Sequence, residues 1–137
     1  MDQERIVVMH ECSVLSLEGN ISFPEVVRKL QAIGVERYHA DFSRREKTYY
    51  LPSGETYVAS LGDLTEPIAR AFSASAVDAA LKRIQRGEIV YAEFLRQIMA
   101  AGCVGYFVHI TGRCAQYLGR NGDVHLEPFP SAPKPGL

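Results

Sequence analysis

The chain has 137 residues, of which 47% are hydrophobic, and 15 Lys and Arg side chains against 16 Asp and Glu give a net charge of -1. This length allows one domain with a single core. The balanced charge argues against nucleic acid or an anionic membrane as the main partner, and no apolar run reaches the roughly 20 residues that a membrane span requires.

The N-terminal stretch, MDQERIVVMHEC, carries acidic residues ahead of a short apolar run and lacks the pattern of a secretory signal. The three cysteines, Cys12, Cys103 and Cys114, have no C-x-x-C spacing. Together these features predict a cytoplasmic protein with free thiols.

Two helices and three strands are predicted in the first half. RIVVMHECSVLSLEG reads as a helix that ends at Gly19. Ser22 and Glu25 form a capping-box pattern, which predicts a second helix from Phe23 to a stop at Gly34. The pattern then alternates, with turns near 44–45 and 53–54, and this predicts an antiparallel meander.

The second half repeats this order after a connector at 60–72. Ser75 and Asp78 resemble a helix cap, with the helix ending at Gly87, and a further helix runs from Tyr91 to a stop at Gly102. Three strands follow. Asn121-Gly122 is a strong signal for a two-residue type I′ hairpin turn. Residues 131–137 are Pro-rich and are predicted to form a flexible tail.

An internal repeat explains this order. An offset of 68 residues aligns 19–59 with 87–127 without a gap and gives ten identical pairs, where chance would give about two or three. The pairs are Gly19/Gly87, Ile21/Ile89, Glu25/Glu93, Arg28/Arg96, Ala32/Ala100, Gly34/Gly102, Tyr38/Tyr106, Arg45/Arg113, Tyr49/Tyr117 and Gly54/Gly122.

We therefore predict an α+β fold made by tandem duplication of a helix–helix–three-stranded meander unit. The two units, at about 5–59 and 73–127, are related by a pseudo-twofold axis, and together they make a single globular domain over 1–130. The helices are expected on one face of the sheet or sheets, and the pattern is compatible with two separate sheets or with one joined sheet.

The stretches FPEVVRKLQAIGVERYHADFSRREKTYYLPSGE and GEIVYAEFLRQIMAAGCVGYFVHITGRCAQYLGRNGDVHLEPFP resemble a bacterial family. It is the domain-of-unknown-function family 1398, whose members are sometimes labelled phage envelope protein. The resemblance covers about 22–130 and implies no particular activity.

Strand parity predicts which side chains lie on the sheet face opposite the helices. A two-residue turn at Asn121-Gly122 pairs Leu118 with His125, and a turn at 112–113 pairs Thr111 with Cys114. The same arithmetic in the first half puts Tyr50 and Tyr57 in one row with His39. The predicted face carries His39, Asp41, Tyr50, Tyr57, Phe107, His109, Leu118 and His125.

So many aromatic and imidazole side chains suggest a contact surface, either a dimer interface or a ligand site, although plain exposed surface is the third interpretation. Our leading hypothesis is a non-enzymatic binding protein that meets a partner through this face, with a homodimer as the candidate assembly. The rival hypothesis is a protein that binds a small molecule or a metal, with modest chemistry at His39, Asp41, His109 and Cys114.

Cys114 with His109 is the sharpest catalytic option in the sequence, because their predicted diagonal arrangement lets thiol and imidazole meet, with Gln116 or Glu127 orienting the ring. A packing role for the thiol competes with this interpretation. Neither a cofactor nor a metal site is predicted, since His39 and Asp41 read better as a solvated pair than as ligands. The basic turn at 43–47 reads as a solubility feature.

Overall fold

The computed structural model describes residues 1–130, which form an α+β fold, and the predicted tail at 131–137 lies outside the described residues. The helices are α1 (Gln3–Glu18), α2 (Phe23–Ala32), α3 (Ala74–Gln85) and α4 (Tyr91–Ala100). The strands are β1 (Arg37–Asp41), β2 (Glu46–Tyr50), β3 (Thr56–Ser60), β4 (Cys103–His109), β5 (Cys114–Gly119) and β6 (Val124–Pro128). No helix in this part of the chain is long and apolar enough to cross a membrane.

The helix ends follow the capping signals, with one correction. Ser22 caps α2 by accepting from the backbone N–H of Glu25, as predicted. The cap of α3 is Ser73, which accepts from the N–H of Ala76, so the predicted start at Ser75 is wrong by two residues. Asp78 sits one turn further in, where it bonds Lys82 instead of the backbone.

All six strands join one antiparallel sheet in the order β3-β2-β1-β4-β5-β6. Its centre is the pairing of β1 with β4, which brings His39 beside Phe107 and Ala40 beside Tyr106. The two outer strands are therefore β3 and β6, each reached through a hairpin.

Each outer hairpin contains a three-residue loop, not the two-residue turn that the sequence predicted. Gly122 N donates to Gly119 O at 3.4 Å and Gly119 N donates to Asp123 O at 2.8 Å. Of the two predicted turn residues only Gly122 has a positive φ, +87°. This combination is a type I turn followed by a left-handed glycine. Leu51 and Gly54 build the same loop before β3.

The extra loop residue shifts the register by one. Tyr117 pairs with His125 and Tyr49 with Tyr57, so the predicted pairings of Leu118 with His125 and of Tyr50 with Tyr57 are wrong. Because side chains alternate, a one-residue shift turns a strand over. In the inner hairpin the register differs from the predicted one by two residues, so Cys114 pairs with His109 and not with Thr111. A shift of two residues leaves each side chain on its predicted sheet face.

The two sheet faces differ in burial. On the first face the central side chains are buried, and helices α1 and α4 contact it through His10 with Tyr57 and through Phe94 with Tyr117. On the second face, which we call the open face, the side chains are half-buried or exposed. One core cluster includes residues of all four helices and five of the strands.

Candidate functional site

A cavity of about 1030 Å³ lies over the buried sheet face, between α2 and the segment that joins α3 to α4. Its walls are mainly apolar, because α2 contributes Val26 and Val27 while the other side contributes Ile84, Ile89 and Phe94, and charged side chains such as Arg113 and Glu127 also line it. A cavity of this size holds a small organic molecule.

The cavity floor is made by strand side chains, and three of them are tyrosines. The floor consists of Tyr38, Lys47, Tyr106, Val108, Ala115 and Tyr117. The tyrosine rings pack on one another, with centroids 6.3 Å apart for Tyr38 and Tyr106 and 5.3 Å apart for Tyr106 and Tyr117. The hydroxyl of Tyr91, from the start of α4, forms a hydrogen bond with that of Tyr106.

Lys47 is the exceptional residue of this floor, because it is a lysine with only 3% of its surface exposed. Its Nζ lies 4.7 Å from the ring centroid of Tyr91 and 5.2 Å from that of Tyr38. Among residues 1–130, no carboxylate forms an ion pair with it. A buried charge without a paired acid is expensive and calls for an explanation.

The protonation states of these groups follow from their surroundings. Burial acts to lower the pKa of Lys47, but the phenolic oxygens of Tyr91 and Tyr49 outweigh it and hold the pKa above its usual value. Burial raises the pKa of Tyr49 to about 12 and raises the pKa values of Tyr38, Tyr106 and Tyr117 as well. Near neutral pH the floor therefore combines one ammonium with neutral phenols.

The sequence analysis placed Lys47 in a solubility turn, which is wrong. Lys47 belongs to β2, and its parity is that of Tyr49, so its side chain points to the buried face. A signal was available, because the repeat offset matches Lys47 with Ala115 and its neighbour Tyr91 with Phe23. The ammonium and the Tyr91 hydroxyl are thus differences between two otherwise similar halves.

The cavity opens to solvent beside Phe23, which lines it and is also exposed. Phe23 is 40% exposed, and its ring meets that of Phe129 edge-on with centroids 5.3 Å apart. The guanidinium of Arg113 lies over Phe129 at 5.1 Å. Aromatic rings and a cation therefore surround the entrance.

Most of the predicted binding-face residues lie on the open face. His39 stacks on Phe107 at 4.2 Å and Phe107 on His109 at 5.7 Å, both with 9° between the ring planes. Burial lowers the pKa of His39, against the opposing effect of Asp41. Tyr50 lies nearby under the guanidinium of Arg37.

The other predicted residues are placed differently. Tyr57 and His125 lie on the buried face of the sheet, because the extra loop residue described above turns their strands over. Asp41 stays on the open face but bonds the turn, since its Oδ1 accepts from the N–H groups of Ser43 and Arg44. Its carboxylate therefore caps the hairpin.

His109 and Cys114 are direct cross-strand neighbours and not the diagonal pair that was predicted. His109 Nε2 lies 2.7 Å from the Oε1 atom of Gln116, one of the two expected orienting residues. Glu127, the other, lies on the opposite face. Cys114 is half-buried, whereas Cys12 and Cys103 are buried free thiols.

A family model described as "Protein of unknown function (DUF1398)" matches residues 16–127. The chain belongs to this family. The match spans both halves and the connector, so this DUF1398 protein shares with its family the stretch that builds the cavity from the end of α1 to β6. Among curated proteins, none matches the chain.

Proposed function

We propose that this DUF1398 protein is a non-enzymatic binding protein whose cavity takes an organic carboxylate with an apolar body. The observation that carries the proposal is the buried, unpaired ammonium of Lys47 at the cavity floor. A ligand carboxylate supplies the missing opposite charge, and the ligand's hydrocarbon part covers the apolar walls.

A singly charged acid fits better than a phosphate. The floor offers one positive charge, and its tyrosine hydroxyls are neutral, so a single negative charge balances it. The hydroxyls of Tyr91 and Tyr106 can donate to the oxygens of a bound acid. A hydrogen bond between charged partners is worth about 1.5–3 kcal/mol, so the headgroup contributes affinity as well as orientation.

A matched pair of ligands tests this. We expect calorimetric titration to give saturable binding of dodecanoate, and binding of dodecanol that is about 10-fold weaker or more, because the alcohol brings no charge to Lys47. In Lys47→Met the two ligands should bind alike.

Lys82→Met is the control, since Lys82 is exposed and does not line the cavity. It should discriminate between the two ligands as the unaltered protein does. Equal binding of acid and alcohol by the unaltered protein, or discrimination that survives Lys47→Met, contradicts the proposal.

A second candidate function is self-association through the open face. Three large apolar side chains are exposed there, with Val58 at 49%, Val124 at 51% and Leu126 at 55%. Val58 and Leu126 end a row that crosses all six strands through His39 and Phe107. Two such faces packed together would bury this row, which supports a homodimer.

Solution mass measured against concentration tests the homodimer. We expect a dimer that Leu126→Asp converts to monomer, because a charge would be buried at the contact. Val7→Asp is the control, since Val7 is exposed at 42% on α1. A chain that stays monomeric at all concentrations, or Val7→Asp acting as strongly, counts against this candidate.

We also propose the tandem duplication, with the helices on one sheet face. Support comes from the ten identical pairs, from the order helix–helix–three strands that occurs twice, and from the matching positions of Tyr38/Tyr106 and Tyr49/Tyr117 on the buried face. A single domain over 1–130 and a cytoplasmic location remain predictions, the latter supported by the free thiols.

A further inference from the structure

We propose that Asp78, His125 and Glu127 form a binding site for a divalent transition-metal ion, distinct from the Lys47 ammonium although Glu127 also lines the cavity. Asp78 projects from α3, while His125 and Glu127 are two residues apart on β6 and so share one side of the strand. One ligand atom from each lies within 4.8 Å of the others. One ion can therefore reach all three.

The histidine gives the independent indication. His125 Nε2 is a buried polar atom without a hydrogen-bond partner, the one such side-chain atom within residues 1–130. It faces carboxylate oxygens on both sides, at 3.4 Å from Glu127 and 3.8 Å from Asp78. Buried polar atoms are nearly always bonded, so an orphaned imidazole nitrogen between two acids is explained by an ion that the three share.

The two carboxylate oxygens of Asp78 contact different residues. Oδ2 accepts from the ammonium of Lys82 at 2.6 Å, whereas Oδ1 is the atom that faces His125. The bond from Lys82 holds the Asp78 carboxylate in place, so its other oxygen is left for the cluster. Outer contacts of this kind orient ligands in metal sites.

The donor set indicates the class of ion. One imidazole nitrogen and two carboxylate oxygens suit Zn²⁺, Co²⁺, Mn²⁺ or Fe²⁺, and three protein ligands leave positions open for water. The side chains of Asp78, His125 and Glu127 are 33%, 20% and 26% exposed, so an ion has access from solvent.

Titration of tag-free, EDTA-treated protein with Co²⁺ tests the site, because its visible absorption reports coordination directly. We expect one Co²⁺ per chain, displaced by one Zn²⁺. His125→Gln should weaken binding about 100-fold or more because it removes a ligand. Asp78→Asn serves as the second variant, and thermal unfolding of each apo variant establishes that it is folded.

Two controls separate this site from other donors. His109→Gln removes an imidazole on the opposite sheet face, and Cys114→Ser removes the half-buried thiol, so both should bind Co²⁺ as the unaltered protein does. The proposal is overturned by absence of saturation up to ~1 mM ion, by binding that survives His125→Gln, or by equal loss in His109→Gln. In those cases His125 is an ion-pair partner of the two acids.

Discussion

Burial of the Lys47 ammonium affects the stability of the protein as well as its proposed binding of a ligand. An ammonium that is 3% exposed and lacks a paired carboxylate within the described chain carries a desolvation cost. The structure surrounds it with aromatic rings and phenolic hydroxyls, which offset this cost and hold its pKa above the usual value. This arrangement supports the proposal that a ligand carboxylate pairs with Lys47.

Replacing this residue should therefore stabilise the protein without a ligand. We expect Lys47→Met to raise the free energy of unfolding by about 1 kcal/mol, since an apolar side chain of similar length fits these surroundings without a desolvation cost to offset. Urea unfolding measures the change. Lys82→Met, which removes an exposed ion pair, should leave the free energy of unfolding nearly unchanged. A loss of stability in Lys47→Met would mean that the ammonium stabilises the fold through its contacts with the tyrosines.

The buried tyrosines make the protein sensitive to alkali. Burial raises the pKa of Tyr49 from 10.0 to about 12, so the folded state holds a proton that the unfolded state loses first. The stability that this contributes is complete below pH ~10 and is lost as the pH rises toward ~12. The raised pKa of Lys47 acts with the same sign.

We expect the free energy of unfolding to stay level from neutral pH to about pH 10 and then to fall. Phenolate absorption should rise in two stages, with Tyr38, Tyr49, Tyr106 and Tyr117 ionising only as the chain unfolds. Absorbance and circular dichroism recorded along one pH series provide the measurement. Ionisation of all seven tyrosines before any unfolding would contradict it.

At the level of elements, two matched glycines end α2 and α4 in different surroundings. Gly34 and Gly102 have nearly the same positive φ, +86° and +88°. A Cβ at Gly34 would meet nothing within 4 Å, whereas one at Gly102 would lie 2.2 Å from the carbonyl oxygen of Ala71. The connector after β3 thus packs directly on the end of α4.

These glycines give a controlled pair of substitutions. Gly34→Ala should cost about 1 kcal/mol, because only the left-handed backbone is penalised. Gly102→Ala should cost about 3 kcal/mol or more, since the connector must also move. Chemical denaturation of both variants compares them. Equal costs would mean that the connector yields freely and is not fixed against α4.

At the scale of the whole molecule, the pairing of β1 with β4 makes one sheet from two meanders. The apolar side chains of both halves also belong to one buried cluster. Unfolding one half would expose the sheet edge and the core surface of the other, so the halves should be strongly coupled.

We therefore expect one cooperative transition, with circular dichroism and tyrosine fluorescence giving the same midpoint. Leu30→Ala in α2 and Leu95→Ala in α4 offer matched probes, because both leucines are 0% exposed. Each should shift the whole transition and cost about 2–5 kcal/mol. Separate midpoints, with each variant moving only one of them, would show that the halves unfold independently.

Local signals were sufficient for the elements. The capping residue Ser22, the stop at Gly34 and the change from helical to alternating period predicted α2 and β1 with little error, because these features act within a few residues of chain. The fold class followed from the repeated order of such elements. The family was also predicted from the motif run, and the match over 16–127 confirms it.

The candidate site was not predictable in the same way. Asn121-Gly122 suits both a two-residue and a three-residue loop, and the choice turned β6 over and moved His125 from one face to the other. Lys47 looked like part of a charged turn because its neighbours 44–46 are charged. Its burial depends on α4, which begins more than 40 residues later and places Tyr91 against it.

Local sequence signals placed the helices and strands to within a few residues, since caps, hydrogen bonds and side-chain alternation depend on near neighbours. Tertiary packing was needed to establish which side chains share a space: the ammonium with the tyrosines, and the orphaned imidazole with two carboxylates. Those meetings depend on register and on packing between distant segments, and a single inserted loop residue is enough to change them.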